Sequence, residues 1–557
     1  MTEAGSWLMA WAGDEGSAHL EVTASGAAAD AVNTHVAGLV DERFASRLFA
    51  RDASLWGADA EPEARVRLSW VDLARSSRHL VGEVAALREE LGAALDHVVL
   101  CGMGGSSLAP EVICATAGRP LTVLDSSDPD SVRAALGDRL ERTVVVVSSK
   151  SGGPLETDSQ RRAYEQAFTD AGIDPTQRII VVTDPGSPLE AAARGAGYRV
   201  VISDPQVGGR YSALTAFGLV PSGLAGVDIG ALLDQAETVA DLLAEDAQGN
   251  PALVLGAALA GLPQAPRDKV LLASDGSGLP GFADWAEQLV AESTGKLGRG
   301  LLPVVVEGPL APEMGWAAAD VLPVRLVSGD DDGGPPVGDE PPPVVTEVTV
   351  AGALGAQLLL WEVATVVAGA LLGINPFDQP DVESAKLAAR GLLDSPDSDP
   401  AAFVTEGIEV RGTPGLLDDV TDLAGAVTAL LNRLDPARGY LAVMAYLDRS
   451  GDATLADVRA SLAERSQRPT TFGWGPRFLH STGQYHKGGP ATGVYLQVTG
   501  APKADLAVPG QPFTFGELIT AQAAGDARVL ADHDRPVLRL HLTDRAAGIK
   551  ALRAVLQ

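Results

Sequence analysis

Residues 97–110 read HVVLCGMGGSSLAP. A short apolar run, HVVLC (97–101), passes into a glycine- and serine-rich turn and then into the helical stretch LAPEVICATA. TVVVVSSKSGG (143–153) repeats the plan and leads into PLETDSQRRAYEQAF. RIIVVT (178–183) precedes DPGSP and LEAAARGA, and YRVVIS (198–203) closes the series. Continuous Val/Ile runs alternating with amphipathic helices predict an α/β fold: doubly wound parallel sheets with helices on both faces. The crossovers should be right-handed.

Working outward, residues 1–60 are Ala-rich and weakly patterned, and predict helices and loops. Residues 204–268 read as mostly helical. A second series starts with KVLLAS (269–274) and the helix FADWAEQLVAES. GDDDGGPPVGDEPPPVV (329–345) reads as an exposed loop. AGALGAQLLLWEVATVVAGALLGI (351–374) is long enough to span a bilayer, with Glu362 its one charge. It has no flanking Lys/Arg cluster to orient a span, so it reads as a helix buried between layers. YLAVMAYL (440–447), GVYLQVTG (493–500) and PVLRLHLT (536–543) read as later strands. The expected organisation is two α/β domains. Residues 1–230 give a helical region and the first domain, 231–435 start the second, and 436–557 complete it.

Composition limits the partners. The chain has 557 residues, 46% hydrophobic and 21% charged, which is globular usage. Acidic residues number 73 against 42 basic, a net charge of −31. Such a chain repels nucleic-acid phosphates and anionic membranes, so any anionic ligand must be small and held in a local positive pocket. Two cysteines, Cys101 and Cys114, exclude a disulfide framework and a multi-cysteine zinc site. The start MTEAGSWLMAWAGDEG carries no basic and apolar leader pattern, and with the cysteine usage it predicts a cytoplasmic protein.

Three places could carry chemistry. The turns with Gly104, Gly105 and Ser106, and with Ser149, Lys150 and Ser151, each end a strand and open a helix. Exposed N–H groups, the helix dipole, hydroxyls and a lysine there suit a phosphate. Neither turn has dinucleotide or P-loop spacing, and each on its own could be a tight structural turn. Glu292, near a helix end, could be a general base or a solvated charge. None of the eight histidines has metal-site spacing. His480 and His486 share LHSTGQYHKGG (479–489), whose composition suggests an exposed loop.

Together these segments resemble the glucose-6-phosphate isomerase family, built from two sugar isomerase (SIS) domains. GMGGSSLAP (102–110) and SSKSGGPLET (148–157) are similar to its phosphate turns, and Thr157 falls in the second. GGRYSALTAFGLVP (208–221) resembles the signature with an active-site arginine, here Arg210. ESTGK (292–296) matches the segment of the catalytic glutamate, Glu292. NPFDQPDVESAK (375–386) matches the carboxy-terminal signature, which places Gln379 and Lys386 in the site. The resemblance covers 97–386 as ordered blocks. It implies ring opening of a sugar phosphate, then proton transfer through an enediolate, with no metal or organic cofactor and a homodimer.

Two departures stand out. The family's ring-opening histidine falls between the glutamate and the FDQ signature, yet 297–374 contains no histidine. LHSTGQYHKGG follows the signature instead, so His480 is the expected ring opener, with His486 the alternative and Lys386 assisting. Pro154 stands where the family often has a threonine. Mannose 6-phosphate activity and a non-catalytic sugar-phosphate binder are the alternative readings.

Overall fold

The computed structural model describes residues 7–12, 19–316, 318–329, 346–394 and 399–556, with backbone alone at 7–12, 382–386 and 394. The loop expected at 329–345 therefore lies, beyond Gly329 itself, outside the described residues. In chain order the strands are β1 (Trp7–Ala12), β2 (His19–Ala24), β3 (His97–Gly102), β4 (Thr122–Leu124), β5 (Thr143–Ser148), β6 (Ile179–Thr183) and β7 (Arg199–Ile202). Then come β8 (Lys269–Asp275), β9 (Leu302–Val306), β10 (Val321–Val327) and β11 (Val348–Gly352). The last are β12 (Phe403–Thr405), β13 (Ile408–Gly412), β14 (Tyr440–Tyr446), β15 (Thr470–Trp474), β16 (Gly493–Gly500) and β17 (Val537–Leu542).

They form three sheets, not two. The first is parallel, ordered β4-β3-β5-β6-β7. This is the doubly wound order that reverses between its first and third strands. The second is β1-β2-β11-β10-β8-β9 and the third β12-β13-β17-β16-β14-β15. In both, four parallel strands carry an antiparallel hairpin on one edge.

The expectation that 436–557 completes the second domain is thus corrected. The second sheet closes its β11 edge with β2, from a region read as helices and loops. The carboxy-terminal strands pair with one another through short crossovers, which cost less closure entropy than a distant partner. The 204–268 reading agrees with helices Ala216–Leu224, Ile229–Leu243 and Pro251–Ala260.

Alternate residues of each central strand feed different cores. Val98 and Leu100 join Val270 and Leu272 in one core, while Leu271 and Ala273 join Ala442 and Met444 in another. Val99 and Cys101 pack on the first sheet's other face, in a core that Val508 and Phe515 of the third unit enter. Burial on both faces is why these strands read as unbroken apolar runs. Helix Leu354–Leu371 is enclosed by protein over nearly its whole length, which accounts for its composition. Burial holds the Glu362 carboxyl well above the usual carboxylate range.

Candidate active site

β3 and β5 are neighbours, and the winding of the first sheet reverses between them. The turn after β3 opens helix Gly105–Thr116, and the turn after β5 opens helix Leu155–Asp170. Gly104 has φ +58, and a Cβ there would lie 2.7 Å from Gln288 Nε2 and 3.0 Å from His480 Cβ. A Cβ on Gly105 would fall 1.9 Å from the Gly209 carbonyl oxygen. Only glycine lets these chains meet.

The result is a cavity of about 360 Å³. The first unit lines it with the 103–106 turn, residues 148–151, Gly153, Pro154, Thr157, Gly209 and Arg210. The second contributes Gln288, Glu292 and Gln379, and Arg390 comes from the following helix Val382–Asp394. His480 enters from the third unit. Ser149 Oγ accepts the Gly152 N–H at 3.0 Å and Ser151 Oγ the Gly153 N–H at 3.2 Å. Both hydroxyl protons therefore stay free to be donated. The buried hydroxyls of Ser148 and Thr157 have no hydrogen-bond partner among the described residues. Two helix N-termini and these hydroxyls can hold an anion.

The opposite wall carries side chains able to transfer a proton. Glu292 Oε2 lies 3.7 Å from Arg210 Nη1 and 3.4 Å from Gln288 Nε2. Gln288 Nε2 also donates to the His480 carbonyl at 2.8 Å, so one amide ties the glutamate's helix to the histidine segment. Arg210 is buried. It donates to Ser293 Oγ (2.9 Å), Gln379 Oε1 (2.6 Å) and the carbonyls of Pro376 (2.7 Å) and Asp378 (3.1 Å). Lys296 fastens the same loop, donating to the Asn375 carbonyl at 2.8 Å and to Asp378 Oδ1 at 2.7 Å. Burial, reinforced by Arg210, pulls its pKa down to about 8.

Two expected residues stand differently. Lys150 lines the cavity, but its ammonium is engaged by Asp184 Oδ2 (2.6 Å) and the carbonyls of Val207 (2.8 Å) and Pro205 (3.3 Å). Those three acceptors use its three donors. His486 is not on the cavity wall. It is buried, its Nδ1 3.0 Å from Tyr440 OH and its ring stacked on Tyr440, and burial holds its pKa well below the usual value. Nor is 479–489 an exposed loop: Gly483–Gly488 is a buried helical turn whose Tyr485 enters the core between the second and third sheets. The Lys386 side chain lies outside the described residues.

Sequence reasoning missed Gln288, Glu156 and Arg390. Arg390 Nη2 donates to the Gly153 carbonyl at 3.0 Å, beside the second turn. Its signal was an arginine one helical turn beyond Lys386.

The chain is 31% identical over 359 residues to a probable glucose-6-phosphate isomerase of Haloarcula marismortui, covering 57% of this chain and 82% of the relative. The chain belongs to the glucose-6-phosphate isomerase family. A glucose-6-phosphate isomerase of Synechococcus elongatus is 32% identical over 362 residues, 55% of this chain and 68% of the relative. No protein-family model matches. Among solved structures, a hypothetical protein of Thermus thermophilus superposes with a TM-score of 0.55 at 25% identity, over 65% of this chain and 96% of its own.

Proposed function

We propose that the chain interconverts glucose 6-phosphate and fructose 6-phosphate in the cavity between its three units. The observation that carries this is one cavity holding a carboxylate, an arginine and a histidine against two anion-binding helix N-termini. The turns with Gly104, Gly105, Ser106, Ser149 and Ser151, together with Thr157, hold the phosphate, and Arg390 supplies charge that Lys150 spends on Asp184. That anchorage fixes the reacting carbons far from the phosphate and converts proton transfer into an intramolecular step.

His480 opens the ring by moving a proton between the ring oxygen and the anomeric hydroxyl. Glu292 then takes the C2 proton of the open aldose and returns it to C1 while the O2 proton passes to O1, leaving a ketone at C2 and a hydroxyl at C1. The enediolate between these steps carries negative charge, and Arg210 stabilises it electrostatically. Gln379, held by Arg210, faces the sugar. The same reading carries a cytoplasmic homodimer and a reaction that EDTA leaves intact.

The test is a coupled assay of glucose 6-phosphate formation from fructose 6-phosphate, with mannose 6-phosphate as a parallel substrate and EDTA as a parallel condition. Turnover of fructose 6-phosphate is expected. Binding without turnover would make the chain a sugar-phosphate binder. Equal turnover of mannose 6-phosphate would make it a dual isomerase.

A further inference from the structure

His480 Nε2 stands 3.7 Å from Glu156 Oε1, in the first turn of helix Leu155–Asp170. The same oxygen accepts a 2.6 Å hydrogen bond from Gln522 Nε2. Gln522 lies on helix Phe515–Asp532 of the third unit and is 5% exposed. These three side chains border a small pocket of about 40 Å³ whose other walls include Leu155, Leu479 and Leu518. Lys487 and Arg390 border it too, but the Lys487 ammonium is 2.6 Å from Asp526 Oδ1 and Arg390 is bonded to Gly153.

We infer that Gln522 is a positioning residue for ring opening: it holds the Glu156 carboxylate ionised and aimed at His480. This rests on the proposed isomerase reading. A carboxylate walled by leucines is pushed toward its neutral form. A donated hydrogen bond favours the ionised form, and bonds to charged acceptors are among the strongest available. An ionised carboxylate only accepts, so the Gln522 amide nitrogen must face it, and its charge 3.7 Å from Nε2 favours the imidazole N–H on that nitrogen. That tautomer leaves His480 Nδ1 as the basic nitrogen and supports the imidazolium that forms when it takes a proton. A neutral amide suits this place better than a lysine or arginine. A cation would compete with the imidazolium for the same oxygen.

The test separates ring opening from proton transfer with two substrates. A hexose 6-phosphate must be opened. A four-carbon aldose 4-phosphate has its O4 esterified, cannot close a ring, and needs only Glu292. Gln522→Leu should lower kcat on fructose 6-phosphate about 10- to 100-fold, on the scale of impaired acid–base catalysis, with KM little changed. Exchange of the C2 proton of the tetrose phosphate with deuterated solvent should stay at the wild-type rate. Gln522→Glu keeps the shape but sets two carboxylates together, and should lose at least as much. Glu156→Gln should show the same substrate split, and adding Gln522→Leu to it should cost nothing further. Equal loss on both substrates, loss on neither, or additive losses in the double variant would overturn the inference. A wild-type chain inactive on hexose 6-phosphates would remove the isomerase reading and this inference with it.

Discussion

Glu292 stands near the end of helix Phe282–Thr294, with Gln288 one turn before it and the Arg210 guanidinium 3.7 Å away. Composition alone does not separate it from a solvated helix-end charge; the ESTGK resemblance does, and Gln288, Arg210 and His480 share its cavity. Glu292→Gln keeps the shape and removes the base, so kcat should fall by about 10²–10⁴-fold with KM little changed. Incorporation of solvent deuterium at C2 should fall in parallel, and near-normal turnover would make Glu292 a buried structural charge and not the base. Legibility differs among the site residues for physical reasons. Gly104 and Gly105 are readable because φ +58 with ψ −128 at the first, and a Cβ that would fall 1.9 Å from a carbonyl oxygen at the second, admit only glycine. Glu156 was not, because an acidic residue in a first helical turn already has a use against the dipole. Lys150 reads as a phosphate ligand in sequence, yet Asp184, whose position depends on the fold, has taken its charge.

Among elements, helix Leu354–Leu371 shows how far composition reaches. Its length and hydropathy fit a bilayer span, and only its surroundings show that protein covers it. Strand β2 shows the reverse. HLEVTA alternates half-buried and buried residues, a period of two that was present in the sequence but masked by the Ala-rich helix after it. Glu362 leads to a prediction at this scale. Its carboxyl is held well above the ordinary value of 4.5 by burial, so the folded chain keeps a proton that the unfolded chain releases. Stability from this group is full below the unfolded value and declines as pH rises toward the folded one. Glu362→Gln should therefore raise the melting temperature more at about pH 8 than at about pH 5. An equal shift at both would show that the carboxyl is ionised in the fold.

Across the whole molecule, the second and third sheets share one topology. Numbered along the chain within each sheet, both run 1-2-6-5-3-4 with the same parallel and antiparallel pairings. The displaced histidine then has a place. The loop between the fourth and fifth strands is 307–320 in the second sheet, with no histidine, and 475–492 in the third, which carries His480. Under the proposed function the third unit supplies the acid–base group from the equivalent loop, and two similar sheets in sequence make a two-domain reading natural. No pair of units is separable by its packing. The first and second share one core, the second and third another, and Val508 and Phe515 join the third to the first. Large chains commonly unfold domain by domain when their cores are separate. Here unfolding any unit strips apolar surface from the other two, so calorimetry should show a single transition whose van't Hoff and calorimetric enthalpies agree. A chain ending before Ala401 should not be a smaller folded protein lacking His480. It should lose the cooperative transition altogether, because Leu271, Ala273 and Val304 then face water. Two resolved transitions in the full chain, or a cooperatively folding truncation, would show the third unit to be an independent domain docked on the others.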